Sequence, residues 1–437
     1  IREEKLKNFS KKLAIAAIPA VMALSAPQAE SKILLMSQEG WEVSFDGAAN
    51  AFIMKNSAEA TVADGKGASD VATFQTEGGV MTGGDDEVGV VTGLLPNVWG
   101  MTLKAPTNNG LDMQARLGLY THMNGGNNAL GNGVLNIRET NFSVSGSFGT
   151  ILVGRSLGIH QSSAILNDML LFGVGAASSA DNSGTTLGRI GLGYLYADFQ
   201  PQITWTTPGV GPFGVKIGIF DPNDVTSTET AADATDKTSP RVEAQITYSG
   251  TMSDLGIDAW VDGSYQNTEF TAAAANLCSG NDAAVAGTGT PTKPCTDVDS
   301  AGVAFGTKLS YNNLALVASG WYGQGMGMRG QHSEGALDGV GKEYNSYGGY
   351  LQGTADLGGG TNIGYSYGGN WKLQTGDEIE SNTIAEVNFQ DMHSAMLWHK
   401  VNDSLWVIAE GGYTRQAFHM GGSYDDVFGG VGGFFFW

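Results

Sequence analysis

Five charged residues between positions 116 and 189 have the types and spacing to act on a dissolved ion. Four are arginines, and one is an aspartate at the start of a short apolar run, "DMLLFGVG": Arg116, Arg138, Arg155, Arg189 and Asp168. Guanidinium groups that face a carboxylate across water create a transverse field, and local charge of this kind sets ion preference. These five residues are the first candidates for a functional site, in which the arginines face the aspartate across water. The alternative is that they are solvated charges with no special role.

Strand periodicity predicts which of these side chains share a face. Arg116 and Arg189 lie opposite apolar rows, whereas Arg138 and Arg155 fit less well because two apolar residues share the face of Arg155. A charge that faces lipid costs roughly 2–4 kcal/mol, which favours an inward orientation for all four arginines. Six other charged residues are weaker candidates for the same interior: Lys216, Arg241, Glu243, Asp258, Asp262 and Lys308.

Sequence motifs for catalysis or metal binding are lacking. No G-x-S-x-G nucleophile motif occurs. The six histidines are scattered, and none has the H-E-x-x-H spacing or another ligand spacing. We therefore predict a protein that is not an enzyme and that needs neither a cofactor nor a metal.

The two cysteines, Cys278 and Cys295, enclose a segment rich in Gly, Pro, Ala and Thr. An even number of closely spaced cysteines in an exported chain predicts one disulfide. The enclosed residue types are typical of a loop. A zinc site would need more ligands than these, and no histidine is near.

The first 29 residues have the three-part layout of a secretory signal peptide. Four lysines precede an apolar segment from Leu13 to Leu24, and small residues follow. This segment is too short for a spanning helix. We predict cleavage after Ala29, which makes 1–29 the signal peptide and 30–437 the mature protein. The alternative is an apolar helix that is retained.

Composition excludes several classes of protein. Charged residues are 15% of the 437 positions, against roughly 25% in soluble domains. A net charge of −21 makes nucleic acid an improbable partner, because no basic face exists to neutralise phosphates. The body of the chain has no run of 18 apolar residues, which argues against a helical membrane protein.

Apolar and polar residues alternate with period two along most of the chain, as in "RVEAQITY" at 241–248. The pattern predicts an all-β protein with 16 strands. They lie near 41–54, 87–104, 111–122, 133–145, 148–156, 188–206, 213–221, 239–249, 256–270, 301–311, 314–324, 343–355, 361–371, 383–399, 405–418 and 424–437.

The connections between these strands alternate in length. A short turn follows every even strand, and a long loop follows nearly every odd one. A soluble β-sandwich has no reason to keep this parity, whereas a transmembrane antiparallel β-barrel has short turns at one end and long loops at the other. The polar faces would then line a wet lumen. The third long loop, 157–187, contains the apolar run and is predicted to fold inward, where the run could be buried.

Tryptophans fall mostly near predicted strand ends. Trp260 is predicted to face the lumen, and eight others are predicted to form interfacial girdles: Trp41, Trp99, Trp205, Trp321, Trp371, Trp398, Trp406 and Trp437. The chain stops on "FGGVGGFFFW", which we interpret as the last strand closing against the first.

The sequence resembles the Gram-negative general diffusion porins, which are trimeric barrels of sixteen strands. The stretches "GWEVSFDGAANAFIM", "IRETNFSVSGSFGTILVGRSLGIHQ" and "TTLGRIGLGYLY" carry the resemblance. It implies a homotrimer in the outer membrane of a Gram-negative bacterium, among outer-membrane lipid and lipopolysaccharide. It also implies that loop three forms the eyelet, with the four arginines on the wall and Asp168 on the loop. The C-terminal aromatic, here Trp437, would be the signal for the barrel assembly machinery. The family's Pro-Glu-Phe-Gly-Gly motif in loop three is missing.

Three functions are compatible with this reading. The first is passive diffusion of ions and small hydrophilic solutes through a water-filled channel. The second is a substrate-selective porin whose arginines favour anionic solutes. The third is a structural or adhesive barrel whose loops bind a partner.

Overall fold

The computed structural model of the chain describes residues 32–61, 86–123, 134–176, 184–209, 211–225, 235–270, 297–332, 335–338, 342–376, 387–419 and 421–437. The predicted signal peptide 1–29 and the predicted disulfide partners Cys278 and Cys295 lie outside these residues.

Nearly all regular structure in the described residues is β-strand. The strands are β1 (Ile33–Gln38), β2 (Trp41–Thr61), β3 (Glu87–Val91), β4 (Asn97–Lys104), β5 (Asp112–His122), β6 (Val134–Gly146), β7 (Gly149–Leu157), β8 (Phe199–Thr206), β9 (Phe213–Phe220), β10 (Thr235–Asp236), β11 (Arg241–Met252), β12 (Leu255–Phe270), β13 (Asp297–Tyr311), β14 (Leu314–Gln324), β15 (Asn345–Gly358), β16 (Thr361–Leu373), β17 (Val387–Lys400), β18 (Leu405–Phe418) and β19 (Ser423–Phe436). A short helix, α1 (Ser162–Asn167), precedes a 3-10 turn at Met169–Phe172. Within these ranges, no helix has the length and apolar character needed to cross a membrane.

Antiparallel pairing joins consecutive wall strands and closes the sheet on itself. The last strand, β19, pairs with β2 from Ser423 opposite Thr61 to Phe436 opposite Ala48. The wall has sixteen strands, because β3 and β4 are two parts of one strand position and β1 and β10 are short additions outside it. Closure leaves no open sheet edge in lipid. The predicted sixteen-stranded antiparallel barrel is confirmed.

The wall strands expose apolar side chains on the outside, and many of their inward side chains are small or polar. In β9, Phe213, Ile217 and Ile219 are exposed, and Lys216 lies between them on the opposite face. This is the arrangement expected where lipid surrounds the barrel and water fills it. Three tryptophans differ from their prediction. Trp321 and Trp406 are buried on the inward face, and Trp398 packs against the interior core.

The second wall strand is interrupted, although the sequence predicted a continuous strand over 87–104. Asn50 from β2 fills the gap: its Oδ1 accepts from the N–H of Gly93 at 2.8 Å, and its Nδ2 donates to the carbonyl of Leu95 at 2.8 Å. Pro96 follows, and proline has no N–H to donate to a sheet ladder. A side chain therefore replaces the missing ladder bonds.

The sixth wall strand begins eleven residues later than predicted, at Phe199 rather than near 188. Three glycines in the preceding segment have positive φ: Gly188 at 55°, Gly191 at 82° and Gly193 at 150°. A strand cannot keep its ladder through such angles, whereas a series of tight turns can use them. Residues 188–198 therefore belong to the long connection between β7 and β8. This connection, 158–198, is called the inner loop below.

Candidate functional site

One end of the inner loop is held by a carboxylate on β11. The side chain of Glu243 accepts from the backbone N–H of Ile159 at 2.7 Å and of His160 at 2.9 Å. Asp262 on β12 accepts from the N–H of Gln161 at 3.0 Å and contacts Nδ1 of His160 at 2.7 Å. Carboxylates that accept backbone N–H bonds in a buried site hold a loop firmly.

The middle of the loop is held by strands farther around the barrel. Gln352 on β15 accepts from the N–H of Met169 at 2.8 Å. Glu410 on β18 accepts from the N–H groups of Val174 at 2.8 Å and Gly175 at 2.9 Å. The loop leaves β7 and returns to β8, yet contacts the inward faces of β11, β15 and β18. It therefore crosses the interior of the barrel.

The apolar run of the loop packs against the inward face of the last strands. The ring of Phe172 lies 5.3 Å from Trp406, 5.6 Å from Phe434 and 6.2 Å from Phe436, as measured between centroids. Leu170 is fully buried in the same core. These apolar side chains have no access to lipid inside the barrel, so packing against each other removes them from lumen water.

Asp168 and Arg189 do not form the predicted pair facing each other across water. Both lie on the inner loop with fully buried side chains, and Arg189 Nε is 3.7 Å from Asp168 Oδ1. The Tyr194 hydroxyl donates to Asp168 Oδ2 at 2.8 Å. Burial raises the pKa of the Asp168 carboxyl above its ordinary value, although Arg189 acts in the opposite direction. The glycine turns that end the predicted strand also carry Arg189 off the wall, which explains the wrong prediction.

Arg116 faces inward as predicted, within a cluster of opposite charge. It contacts Asp46 at 2.9 Å and Glu139 at 2.9 Å, and its side chain is 19% exposed. Thr102 accepts a further hydrogen bond from it at 3.2 Å. Two carboxylates around one guanidinium leave this cluster without net positive charge, so Arg116 is not an unbalanced cation in the lumen.

Arg138 reaches the interior because of a β-bulge. The register between β5 and β6 shifts between Gly118 and Leu119, which leaves Arg138 and Glu139 both facing inward. Arg138 Nη1 donates to the Tyr196 hydroxyl at 3.2 Å. A bulge inserts one residue into the alternation, and simple periodicity cannot anticipate it.

Arg155 lies on β7 at a position whose cross-strand neighbours face outward. The register places it beside Thr140 on β6 and Pro201 on β8, and both neighbours are exposed on the outward row. The alternation along β7, which keeps Ile151 exposed outside, thus favours the outward row for Arg155. Its side chain is nevertheless half-buried, its Nε is buried, and its charge acts on Tyr196 of the inner loop, so the inward orientation of Arg155 stays a prediction.

The six weaker candidates all lie on inward rows, in two environments. Arg241, Glu243 and Asp262 are buried against the inner loop, and Arg241 Nε contacts Glu243 Oε1 at 3.1 Å. The other three are at least partly exposed and are called the water-facing charges below: Lys216, Lys308 and Asp258. Among the described residues, no carboxylate lies within salt-bridge distance of either lysine.

A second connection, between β14 and β15, also enters the barrel. Met326, Met328 and Leu337 are buried there, and Asn370 donates to the carbonyl of Met328 at 2.8 Å. The N–H of Tyr196 on the inner loop donates to the carbonyl of Arg329 at 2.8 Å. The described parts of the two connections therefore contact each other inside the barrel.

The sequence indicated Glu243 and Asp262 as inward-facing, but not two other residues that hold the inner loop. Glu410 and Gln352 are inward-facing but lie more than 180 positions from their partners. Glu410 had one available signal, because it follows Trp406 and Ile408 on the same face of a strand that is apolar on both faces. A lone carboxylate in such a row needs a buried partner. Within the described part of the chain, no three His, Cys, Asp or Glu side chains are grouped as metal ligands.

A closed sixteen-stranded barrel, apolar outside and crossed inside by an anchored loop, is the architecture of an outer-membrane channel. The chain belongs to the Gram-negative porin family, whose sequence profile matches residues 14–394. It is therefore an outer-membrane protein that forms a water-filled diffusion channel.

Solved structures with the same fold are only distantly related in sequence. The outer membrane channel DcaP of Acinetobacter baumannii has a TM-score of 0.64 at 15% identity, over 92% of this chain and 99% of that one. An anion-selective porin from Comamonas acidovorans has a TM-score of 0.56 at 14% identity, over 90% and 100%. OmpT of Vibrio cholerae has a TM-score of 0.51 at 15% identity, over 93% and 100%. No curated protein sequence matches the chain.

Proposed function

We propose that the inner loop forms the constriction of this diffusion channel and that the water-facing charges give the channel a preference for anions. The inner loop covers part of the lumen and is held to β11, β15 and β18. Ions then pass beside the loop, along the wall that bears Lys216 and Lys308.

The orientation of the two lysines is the observation that carries this proposal. Lys216 lies opposite Gln245 on the inward row, and Lys308 lies opposite Val317 on its own inward row. Several of the buried charges are paired with an opposite charge, such as Asp168 with Arg189 and Arg241 with Glu243. Two partly exposed lysines against Asp258 leave a net positive charge on the water-facing wall. A pore lined by positive side chains favours anions.

We also propose partners for this protein. A homotrimer among outer-membrane lipid and lipopolysaccharide follows from the resemblance to general diffusion porins, as does the absence of enzymatic activity. We propose Trp437 as the residue read by the barrel assembly machinery. Its ring lies 4.9 Å from Trp99 and 5.8 Å from Phe45, in an aromatic cluster on the outside of the barrel seam. A protein that inserts barrels can reach a side chain at that position.

Planar-bilayer recording in a KCl gradient tests the proposal. We expect the reversal potential to show anion preference and the Lys216→Gln/Lys308→Gln double variant to lower the chloride-to-potassium permeability ratio about two- to fivefold. Lys55→Gln is the matched control, because Lys55 is exposed on the outward row of β2. An unchanged ratio in the double variant would reject the assigned charges. A correctly folded protein with no conductance would instead favour the structural or adhesive barrel.

A further inference from the structure

A cavity of about 260 Å³ lies between the barrel wall and the inner loop, near the ends of β5 to β8. Its lining is mainly apolar and comes from both sides. Leu94, Leu157 and Phe199 contribute from the wall, and Leu171 and Ile190 contribute from the loop. An apolar cavity of roughly 150 Å³ is large enough to hold benzene. This cavity therefore has room for one small ring with a polar substituent.

Arg138 places a cation without a carboxylate partner at this apolar cavity. Its guanidinium carbon lies 5.3 Å from the ring centroid of Tyr120 and 5.6 Å from that of Phe199. No described carboxylate is within salt-bridge distance of Arg138, because the adjacent Glu139 bonds instead to Arg116 and Tyr120. A partly buried charge without a counter-ion is costly, and a bound anion would relieve that cost.

Two hydroxyl groups that line the cavity have hydrogen-bonding capacity that no protein group uses. The Tyr196 hydroxyl accepts from Arg138 at 3.2 Å, which leaves its own proton available. Thr186 is 5% exposed, and its Oγ1 atom is buried without a hydrogen-bond partner. Both side chains line the cavity. A guanidinium and two hydroxyl donors in an apolar site match a group that only accepts hydrogen bonds, such as a carboxylate.

We propose that this cavity is a binding site for monoanionic solutes that carry a carboxylate on a small aromatic or branched apolar body. The carboxylate binds Arg138, Tyr196 and Thr186, and the apolar body occupies the space among the leucines and Phe199. This inference names a class of anion for the proposed anion preference. It rests on the proposed channel function in one respect, because the solute must reach the cavity from the lumen. Chloride and acetate would gain the charge contact but little apolar contact.

Isothermal titration calorimetry of the full-length, detergent-solubilised protein with benzoate tests the site without requiring conduction. We expect benzoate to bind at least about tenfold more tightly than acetate, which lacks the ring, and than benzamide, which lacks the charge. Arg138→Gln should lose at least about tenfold in benzoate affinity, and Tyr196→Phe and Thr186→Val should each lose less. Lys55→Gln is the matched control, because it removes a cation from the outward row of β2, and it should leave benzoate affinity unchanged.

Planar-bilayer recording with the same solutes separates the site from the channel function. Benzoate should reduce the chloride current in a saturable manner in the native protein, and less strongly in Tyr196→Phe at the same concentration. Binding without any conductance would reject the proposed function and support the site. Conductance with benzoate affinity no greater than that of acetate would overturn the site. Should Arg138→Gln fail to fold, Tyr196→Phe and Thr186→Val decide the matter, because each removes only one polar group.

Discussion

The charges that hold the inner loop and the charges that face lumen water are similar residue types with opposite surroundings. Glu243, Asp262 and Glu410 are buried, and each accepts hydrogen bonds from loop backbone. Lys216 and Lys308 are partly exposed and have no carboxylate within salt-bridge distance among the described residues. Charges of the first kind bond directly to the loop backbone, and they thereby determine the shape of the lumen. Charges of the second kind act through water on a passing ion.

The largest effect is expected from Glu410, where the loop crosses to β18. Glu410→Ala leaves the N–H groups of Val174 and Gly175 without acceptors, which costs roughly 2–6 kcal/mol of local stability at about 1–3 for each group. We expect faster hydrogen exchange across 158–198 and a noisier, larger single-channel current, with the barrel still folded. Glu410→Gln keeps one acceptor oxygen and should be intermediate. Equal exchange rates in all three proteins would show that Glu410 is not an anchor.

The pair of Asp168 and Arg189 tests whether a buried charge can act on structure without acting on ions. Asp168→Asn leaves Arg189 buried and uncompensated, with a cost of up to about 3–5 kcal/mol. The Asp168→Asn/Arg189→Gln double variant removes both charges and should recover most of that loss. Hydrogen exchange of the loop measures the difference. The double variant should also keep the native reversal potential, and a shift there would place the pair among the charges that act on ions.

Salt concentration should separate the two regions directly. The Debye length falls from about 10 Å at 0.1 M to about 3 Å at 1 M salt, so charges in water are screened. We expect the selectivity change caused by Lys216→Gln/Lys308→Gln to shrink between 0.1 M and 1 M KCl. The faster loop exchange in Glu410→Ala should stay the same, since its cause is a lost buried hydrogen bond. A salt-independent selectivity change would indicate that the lysines act by shaping the pore.

The smallest effect is expected from Asp258, the one exposed carboxylate among the water-facing charges. Its Oδ1 accepts from the Ser249 hydroxyl at 2.6 Å, and its side chain is open to water. Asp258→Asn should raise anion preference by less than about twofold, because an exposed charge acts through high-dielectric water. Glu59→Gln, on the outward row of β2, is the control. A drop in anion preference would reverse the sign assigned to this wall.

The accuracy with which the sequence predicts the side-chain orientation differs among the four arginines. Period-two alternation was sufficient for Arg116, since β5 is regular on both sides of it. The bulge at Gly118 and Leu119 made the alternation misleading for Arg138. For Arg189, the sequence "LGRIGLGY" contains residues that are common in strands, whereas its three glycines indicate turns. For Arg155, the cost of a charge near lipid favours the lumen, whereas the register of β7 with β6 favours the outward row.

The sequence by itself determined the strand number, the alternation of faces and the closure of the barrel. These features depend on residues a few positions apart and on the requirement that every backbone group in lipid be hydrogen-bonded. Only the tertiary structure decided which inward charges meet water. That outcome depends on contacts such as Val174 with Glu410, which are 236 residues apart, and on where the inner loop covers the wall. A charge under the loop becomes an anchor, and the same charge beside the loop becomes part of the channel.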